Sequence, residues 1–215
     1  MAFQHMKGHD HRPKTSMSLF YKPLARGIRP LMSNICILLA DGFEELEAVT
    51  IIDVLRRSGV RVTLLGVAGL SVRGAHGIVL QADALLADEH HRAWDMVVLP
   101  GGQPGANTLR DNAAVQDLIK RQMERKGRMA AICAAPIALA KAGALNGKQA
   151  TCYPGFEPEL AHAVLQSQAV VEDGSVTTSR GPGTAIQFAL ALATQLAGGA
   201  RADQVAHDML VAAPR

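Results

Sequence analysis

The sequence is poor in cysteine and has no long hydrophobic run. Only three cysteines occur, Cys36, Cys133 and Cys152, an odd and sparse set that does not suggest a disulfide framework and favours a reducing compartment, the cytoplasm. Every apolar stretch is broken by Gly, Pro or a charged residue before it reaches the roughly 20 residues that a membrane span requires. We therefore expect a soluble, cytoplasmic protein with no membrane partner.

The body of the chain also lacks an excess of positive charge. Residues 1–31 hold six Lys and Arg against one acid, a net charge of +5, whereas the whole chain carries +3. The remainder is near −2, which gives no electrostatic reason to expect a nucleic-acid partner. The first 31 residues show no apolar periodicity and no block of signal-peptide length. We expect them to be a disordered leader, a tag or a mis-assigned start, followed by a single domain over 32–215.

Short apolar runs alternate with amphipathic segments along that domain, which predicts strands alternating with helices. The predicted strands are 34–40, 60–67, 96–100, 129–132 and 176–179, and the predicted helices are 44–57, one around 115–123, 136–141 and 184–196. Residues 70–80 are predicted to form a hairpin, and 149–171 carry no clear pattern. The alternation indicates an α/β fold with a doubly wound, mostly parallel sheet, whose sites form at the carboxyl ends of the strands.

The strongest local signal is the run AAICAAP at Ala130 to Pro136. Small residues surround a cysteine where an apolar strand must turn sharply into a helix with proline in its first turn, which is the pattern of a nucleophile elbow. The turn would present the sulfur of Cys133 over a helix N-terminus, which favours a thiolate. The alternative is a buried structural cysteine, the role expected of Cys36 inside its strand.

Two glycine-containing segments accompany the elbow. Gly101-Gly102 follows a strand and could offer backbone N–H groups to an oxyanion, although such a pair is also common as a plain tight turn. The run SRGPGT at Ser179 to Thr184 lacks the lysine and the glycine spacing of a phosphate-binding loop, so we interpret it as a turn that borders the site. The histidines of the domain stand at no metal-ligand spacing with Cys or Asp, and no metal is predicted.

Four motifs together, DGFEELEAVT (41–50), VVLPGG (97–102), AAICAAP and TSRGPGT, resemble the ThiJ/PfpI superfamily, in the branch of the human parkinsonism-associated deglycase and bacterial YajL-like proteins. The resemblance implies a flavodoxin-like sandwich, usually a homodimer that uses helix 44–57 at its interface, with no cofactor. It implies catalytic residues Cys133 and Glu47, and oxyanion-type backbone donors at Gly102 and Ala134. The implied substrates are small aldehydes such as methylglyoxal or early glycation adducts.

Glu47 illustrates how the resemblance adds to the local pattern. Its spacing alone makes it an acid in the first turn of a helix, where it favours the helix dipole. A protonated Glu47 beside Cys133 could instead donate a hydrogen bond to the thiolate, so that the pair holds one proton and titrates as a unit. In that case the thiol is expected to ionise well below its usual pKa of about 8.5.

Three further residues are candidate lining of the pocket: Gly101, Tyr153 and Arg180. Tyr153 stands where the human protein's branch has a histidine, which excludes a Cys-His dyad at this position and argues against peptidase chemistry. It could line the pocket or be a packed aromatic, and Cys152 beside it is expected to be structural. Two hypotheses remain open at this stage, an aldehyde-converting enzyme and a non-enzymatic redox sensor or chaperone that uses the same cysteine.

Overall fold

The computed structural model describes residues 32–89 and 91–211. The expected leader, 1–31, lies outside the described residues. The described residues from Met32 onward pack into one compact unit.

Seven of the strands build a central sheet, and four form two small sheets beside it. The strands are β1 Asn34–Leu39, β2 Arg61–Gly66, β3 Ser71–Arg73, β4 Val79–Gln81, β5 Ala84–Leu85, β6 Met96–Leu99, β7 Arg128–Ile132, β8 Gln149–Ala150, β9 Val164–Leu165, β10 Val170–Asp173 and β11 Val176–Ser179. The central order is β10-β11-β7-β6-β1-β2-β5. Every neighbouring pair in it is parallel except β10 with β11. The five long parallel strands therefore follow the 2-1-3-4-5 order of a flavodoxin-like sheet, and the predicted fold class is confirmed.

Helices cover both faces of this sheet. They are α1 Glu45–Arg57, α2 Leu86–Glu89, α3 Gly105–Asp111, α4 Ala113–Glu124, α5 Pro136–Lys141, α6 Ala185–Ala197 and α7 Gly199–Asp208, with 3-10 turns at Glu157–Leu160 and Pro182–Thr184. Helix α6 packs against α1 and α7, whereas α4 packs against α2, α3 and α5. This division gives the layered sandwich expected of a sheet whose strands are buried on both sides.

Burial explains why the continuous apolar runs became strands. Residues 35–39 of β1 are fully buried, since β1 lies between β2 and β6 with helices above and below. Helix α1 buries one face through Ala48, Ile51 and Leu55, and it ends at Ser58-Gly59, where Gly59 takes a φ of 82°. That left-handed conformation is the usual way to stop a helix.

Most predicted elements occur within one or two residues of their expected bounds, and residues 70–80 contain the predicted hairpin of β3 and β4. The elements that were not predicted are the helices α2, α3 and α7, the short strands β5, β8, β9 and β10, and the two 3-10 turns. Strands β8 and β9 lie in the segment that carried no clear pattern, and β10, which is antiparallel to β11, begins at its end.

Candidate active site

Cys133 follows β7 directly and adopts a left-handed backbone conformation, with a φ of 64°. This conformation costs a non-glycine residue about 1–2 kcal/mol, and two hydrogen bonds hold it. The Cys133 N–H donates to the Ser179 carbonyl at 2.9 Å, and the Tyr153 N–H donates to the Cys133 carbonyl at 2.8 Å. The neighbouring strand and the loop after β8 thus clamp the elbow on both sides. Strain held in place by its surroundings is typical of functional sites.

Glu47 reaches the same point from the first turn of α1. It is fully buried, and its Oε2 accepts a hydrogen bond of 2.8 Å from the Gly101 N–H. Its Oε1 is also buried and has no hydrogen-bond partner among the described residues. A buried carboxylate oxygen without a partner makes the ionised form of Glu47 costly, which favours protonation of this carboxyl.

Gly101 explains how the two side chains come so close. A Cβ at this position would lie 2.5 Å from the Cβ of Cys133 and 2.9 Å from Oε2 of Glu47. No side chain fits there, so only glycine allows the end of β6 to pass between the cysteine and the carboxyl. Gly102 has a φ of 92°, which also requires glycine.

Burial raises the pKa of Glu47 to about 7, and the nearby charge of Glu44 adds to the shift, while hydrogen bonds from Gly101 and with Cys133 oppose it. This carboxyl is therefore half protonated near neutral pH. A group with this pKa can both accept and give a proton at physiological pH. It differs in this respect from an ordinary first-turn glutamate, whose carboxylate stays ionised.

The expected low pKa of the thiol is wrong. Burial raises the pKa of Cys133 to about 12, and the Glu47 carboxylate raises it further, although backbone hydrogen bonds from Gly102 and Ala134 lower it. Helix α5 has only six residues, so its dipole is too short to offset burial. Each group thus alters the proton affinity of the other, and the two titrate as a coupled pair in which burial favours the neutral forms.

The structure brings four of the predicted site residues together: Cys133, Glu47, Gly102 and Ala134. The N–H groups of Gly102 and Ala134 face the sulfur, where they can stabilise negative charge on it or on an oxygen bonded next to it. Gly101 lies between the cysteine and the glutamate. The functional roles of these residues remain predictions.

The other candidates lie around this centre. Tyr153 is 45% exposed, and its ring lies 3.0 Å from the point where a Cβ on Gly181 would be. It thus borders the turn that contains Arg180. The Arg180 guanidinium donates to the Ser167 carbonyl at 3.1 Å, which ties it to the loop before β10. Cys152 is buried, and burial raises its pKa to about 11, as suits a structural thiol.

One neighbouring cluster was missed by the sequence reasoning. Glu44, Glu45 and His76 place one potential ligand atom each within 4.8 Å of one another. The oxygens of Glu45 already accept hydrogen bonds from the backbone N–H groups of His76 and Ile78 and contact Nδ1 of His76. The Glu45 carboxylate therefore anchors the β3–β4 hairpin to the start of α1. Residues so far apart in sequence gave no signal of this contact.

Among the described helices, none combines the length and the apolar character needed to cross a membrane.

Comparison with known proteins places the chain among relatives with similar sequences and structures. Residues 33–195 match the model of the DJ-1/PfpI family. The Drosophila melanogaster protein dj-1beta is 42% identical over 82% of this chain and 96% of its own length. The crystal structure of Drosophila DJ-1beta superposes with a TM-score of 0.83 at 41% identity, covering 85% of this chain and all of that one. A Caenorhabditis elegans relative named "Glutathione-independent glyoxalase DJR-1.2" is 30% identical over 84% of this chain and 97% of its own length.

Proposed function

Because this chain belongs to the DJ-1/PfpI family, we propose that it is a cofactor-independent cysteine enzyme of stress protection. Its substrates are reactive dicarbonyls or early glycation adducts, and its products from dicarbonyls are hydroxy acids. The observation that carries the proposal is the pairing of Cys133, at a strained elbow, with a fully buried Glu47 whose pKa is about 7. The name of the nematode relative supports the same class of reaction.

In the proposed first step the carboxylate of Glu47 takes the thiol proton of Cys133, and the sulfur attacks the aldehyde carbon of methylglyoxal. A C–S bond forms, the carbonyl π bond breaks, and the resulting oxyanion is stabilised by the N–H groups of Gly102 and Ala134. The proton that remains on Glu47 then neutralises this oxygen to give a hemithioacetal.

The second stage is an internal redox reaction that needs no external oxidant. Glu47 removes the proton from the former aldehyde carbon and returns a proton to the adjacent carbon, which converts the hemithioacetal into a thioester of lactate. Water then breaks the C–S bond, releasing lactate and restoring the thiol. Both stages use one group that accepts and gives protons near pH 7, which fits the environment of Glu47.

The direct test is the turnover of methylglyoxal and glyoxal by the purified chain without glutathione, with lactate and glycolate measured as products. Cys133→Ala is expected to abolish turnover and to keep the fold, because a small residue suits the elbow; Cys152→Ala serves as the matched control and is expected to stay active. Full activity in Cys133→Ala would remove the nucleophile from the proposal. Absence of turnover in the parent chain, combined with ready oxidation of Cys133, would favour the sensor or chaperone alternative.

We also propose that the chain forms a homodimer through α1. Leu46 and Val49 of this helix are 53% and 44% exposed, and Ile78 and Val79 of the adjoining hairpin are 55% and 45% exposed. Residues three apart lie on one helix face, and Glu45 ties the hairpin to that helix. These four exposed residues therefore form one apolar patch.

Light scattering tests the proposed dimer. It is expected to give twice the monomer mass for the parent chain and the monomer mass for Leu46→Glu. Leu210→Glu, at a site outside the apolar patch, is expected to leave the dimer intact. A parent chain that is monomeric at micromolar concentration would overturn this proposal.

A further inference from the structure

The end of the sheet opposite Cys133, where strands β6 and β7 begin, carries a groove of about 450 Å³. Three cations line it, Arg125, Lys126 and Arg128. All three are exposed, and none forms an ion pair with an acid in the described part of the chain. One acid, Asp95, also lines the groove. The overall negative charge of the domain therefore conceals a local cluster of unpaired positive charge.

The groove is held in shape by buried contacts. Gln122 is 1% exposed, and its Nε2 donates to the carbonyls of Trp94, at 2.9 Å, and of Arg128, at 3.0 Å. The Met129 N–H donates to the Ser175 carbonyl at 2.8 Å. The three chain segments that line the groove are thus joined to each other, so that binding a ligand requires little ordering of the backbone.

Lys126 is the least expected residue in this arrangement. It occupies the position just after the C-cap of α4 with a φ of 54°, where glycine is the favoured residue. A lysine in this conformation costs the fold about 1–2 kcal/mol relative to glycine. The helix end does not need a lysine, but the cation it contributes to the groove is one that glycine cannot supply.

We propose that this groove binds a small ligand through its phosphate groups. Two guanidinium groups and an ammonium offer charge-assisted hydrogen bonds to phosphate oxygens, and Ser175 is a further polar residue of the lining. The volume suits a mononucleotide or a short polyphosphate rather than a bulky partner. The site lies at the opposite end of β7 from Cys133, roughly 16 Å away along five residues of strand, and it does not depend on the proposed enzymatic activity.

Calorimetry with inorganic pyrophosphate and with ADP tests the proposal in the full chain. Lys126→Gly is expected to weaken binding about tenfold, the loss of one charge-assisted hydrogen bond, while its melting temperature is unchanged or higher. Arg125→Ala is expected to weaken binding similarly. Lys120→Ala removes an exposed cation from the same helix outside the groove and is expected to bind like the parent. The basic residues before position 32 are present in all four proteins and contribute equally.

Trp94 gives an independent readout of where the ligand binds, because it is the only tryptophan of the chain and it lines the groove. Its fluorescence is expected to change along the same binding curve as the heat. Tighter binding of ADP than of pyrophosphate would identify a nucleotide as the source of the phosphates, and equal binding would identify polyphosphate. The proposal is overturned if pyrophosphate does not bind at millimolar concentration, if Lys126→Gly and Lys120→Ala behave alike, or if sulfate at equal ionic strength binds equally well.

Discussion

Strands β1 and β7 belong to the same sheet, and each is associated with one cysteine. Cys36 lies in the middle of β1, fully buried, and burial raises its pKa far above the usual range. Cys133 follows the last residue of β7, and burial raises its pKa as well. Burial alone therefore does not distinguish a reactive thiol from a structural one. The difference is that Cys133 has a carboxyl that can take its proton and two N–H donors that can stabilise its charge. Among the described residues, Cys36 has no such carboxyl and no such pair of donors.

The largest effect on turnover is expected from removing the carboxyl that distinguishes the surroundings of Cys133 from those of Cys36. Glu47→Gln keeps the shape of the side chain and a hydrogen-bond donor but cannot exchange protons, so turnover of methylglyoxal is expected to fall about 100-fold or more. Steady-state kinetics, with lactate as the measured product, checks this. Glu124→Gln, an exposed change on α4, is the control and is expected to retain the activity of the parent. Equal activity in Glu47→Gln and the parent would reduce Glu47 to the helix-terminal acid suggested by its spacing.

A smaller effect is expected from a substitution that pushes Cys133 and Glu47 apart. Gly101→Ala introduces a Cβ 2.5 Å from that of Cys133, and the shift needed to relieve this contact is expected to cost about 1–3 kcal/mol of unfolding free energy together with most of the turnover. Chemical denaturation and kinetics measure the two losses. Gly199→Ala, where an added Cβ meets no described atom within 4 Å, is expected to be neutral. Unchanged stability in Gly101→Ala would show that the site is looser than its geometry indicates.

The smallest effect concerns the other strand. Cys36→Ala removes a buried sulfur from the core and is expected to lower the unfolding free energy by roughly 1 kcal/mol, with no change in turnover per folded molecule. Denaturation curves and kinetics on the same preparation separate the two quantities. A loss of turnover in folded Cys36→Ala would mean that Cys36 contributes to the reaction and is not a purely structural thiol.

Local patterns were sufficient for the elements that position the site. Strands β1 and β7 were predictable because each is a continuous apolar run. Helix α5 was predictable because a proline stands in its first turn and Gly143, with a φ of 84°, follows its end. Helices α3 and α7 were missed because α3 is short and α7 buries only Ala202 and Val205, too few apolar positions for a clear period. Strand β10 depends on its antiparallel partner, which a local pattern does not reveal.

The site itself was predictable only in part. The elbow at Cys133 could be inferred from its small neighbours, but residues 47, 101 and 133 meet only in the folded chain, so the assignment of Glu47 came from the family resemblance. The pKa of the thiol was predicted in the wrong direction because the sequence does not report how deeply the sulfur is buried. The cationic groove around Lys126 was not predicted either, because the net charge of the domain does not report which charged residues lie close together in the folded chain.

The central claim is that Cys133 and Glu47 share protons as one unit, and the pH dependence of Cys133 alkylation tests it most directly. Below pH 7 the carboxyl of Glu47 is protonated and cannot take the thiol proton of Cys133, whereas above pH 7 it is ionised and can take that proton as the sulfur reacts. The rate constant with iodoacetamide is therefore expected to rise with a midpoint near the Glu47 pKa of about 7. In Glu47→Gln the thiol must lose its own proton in a buried setting, and the midpoint is expected to move above about 8.5. Mass spectrometry of the peptide that contains Cys133 gives both curves. A common midpoint for the two proteins would contradict the account.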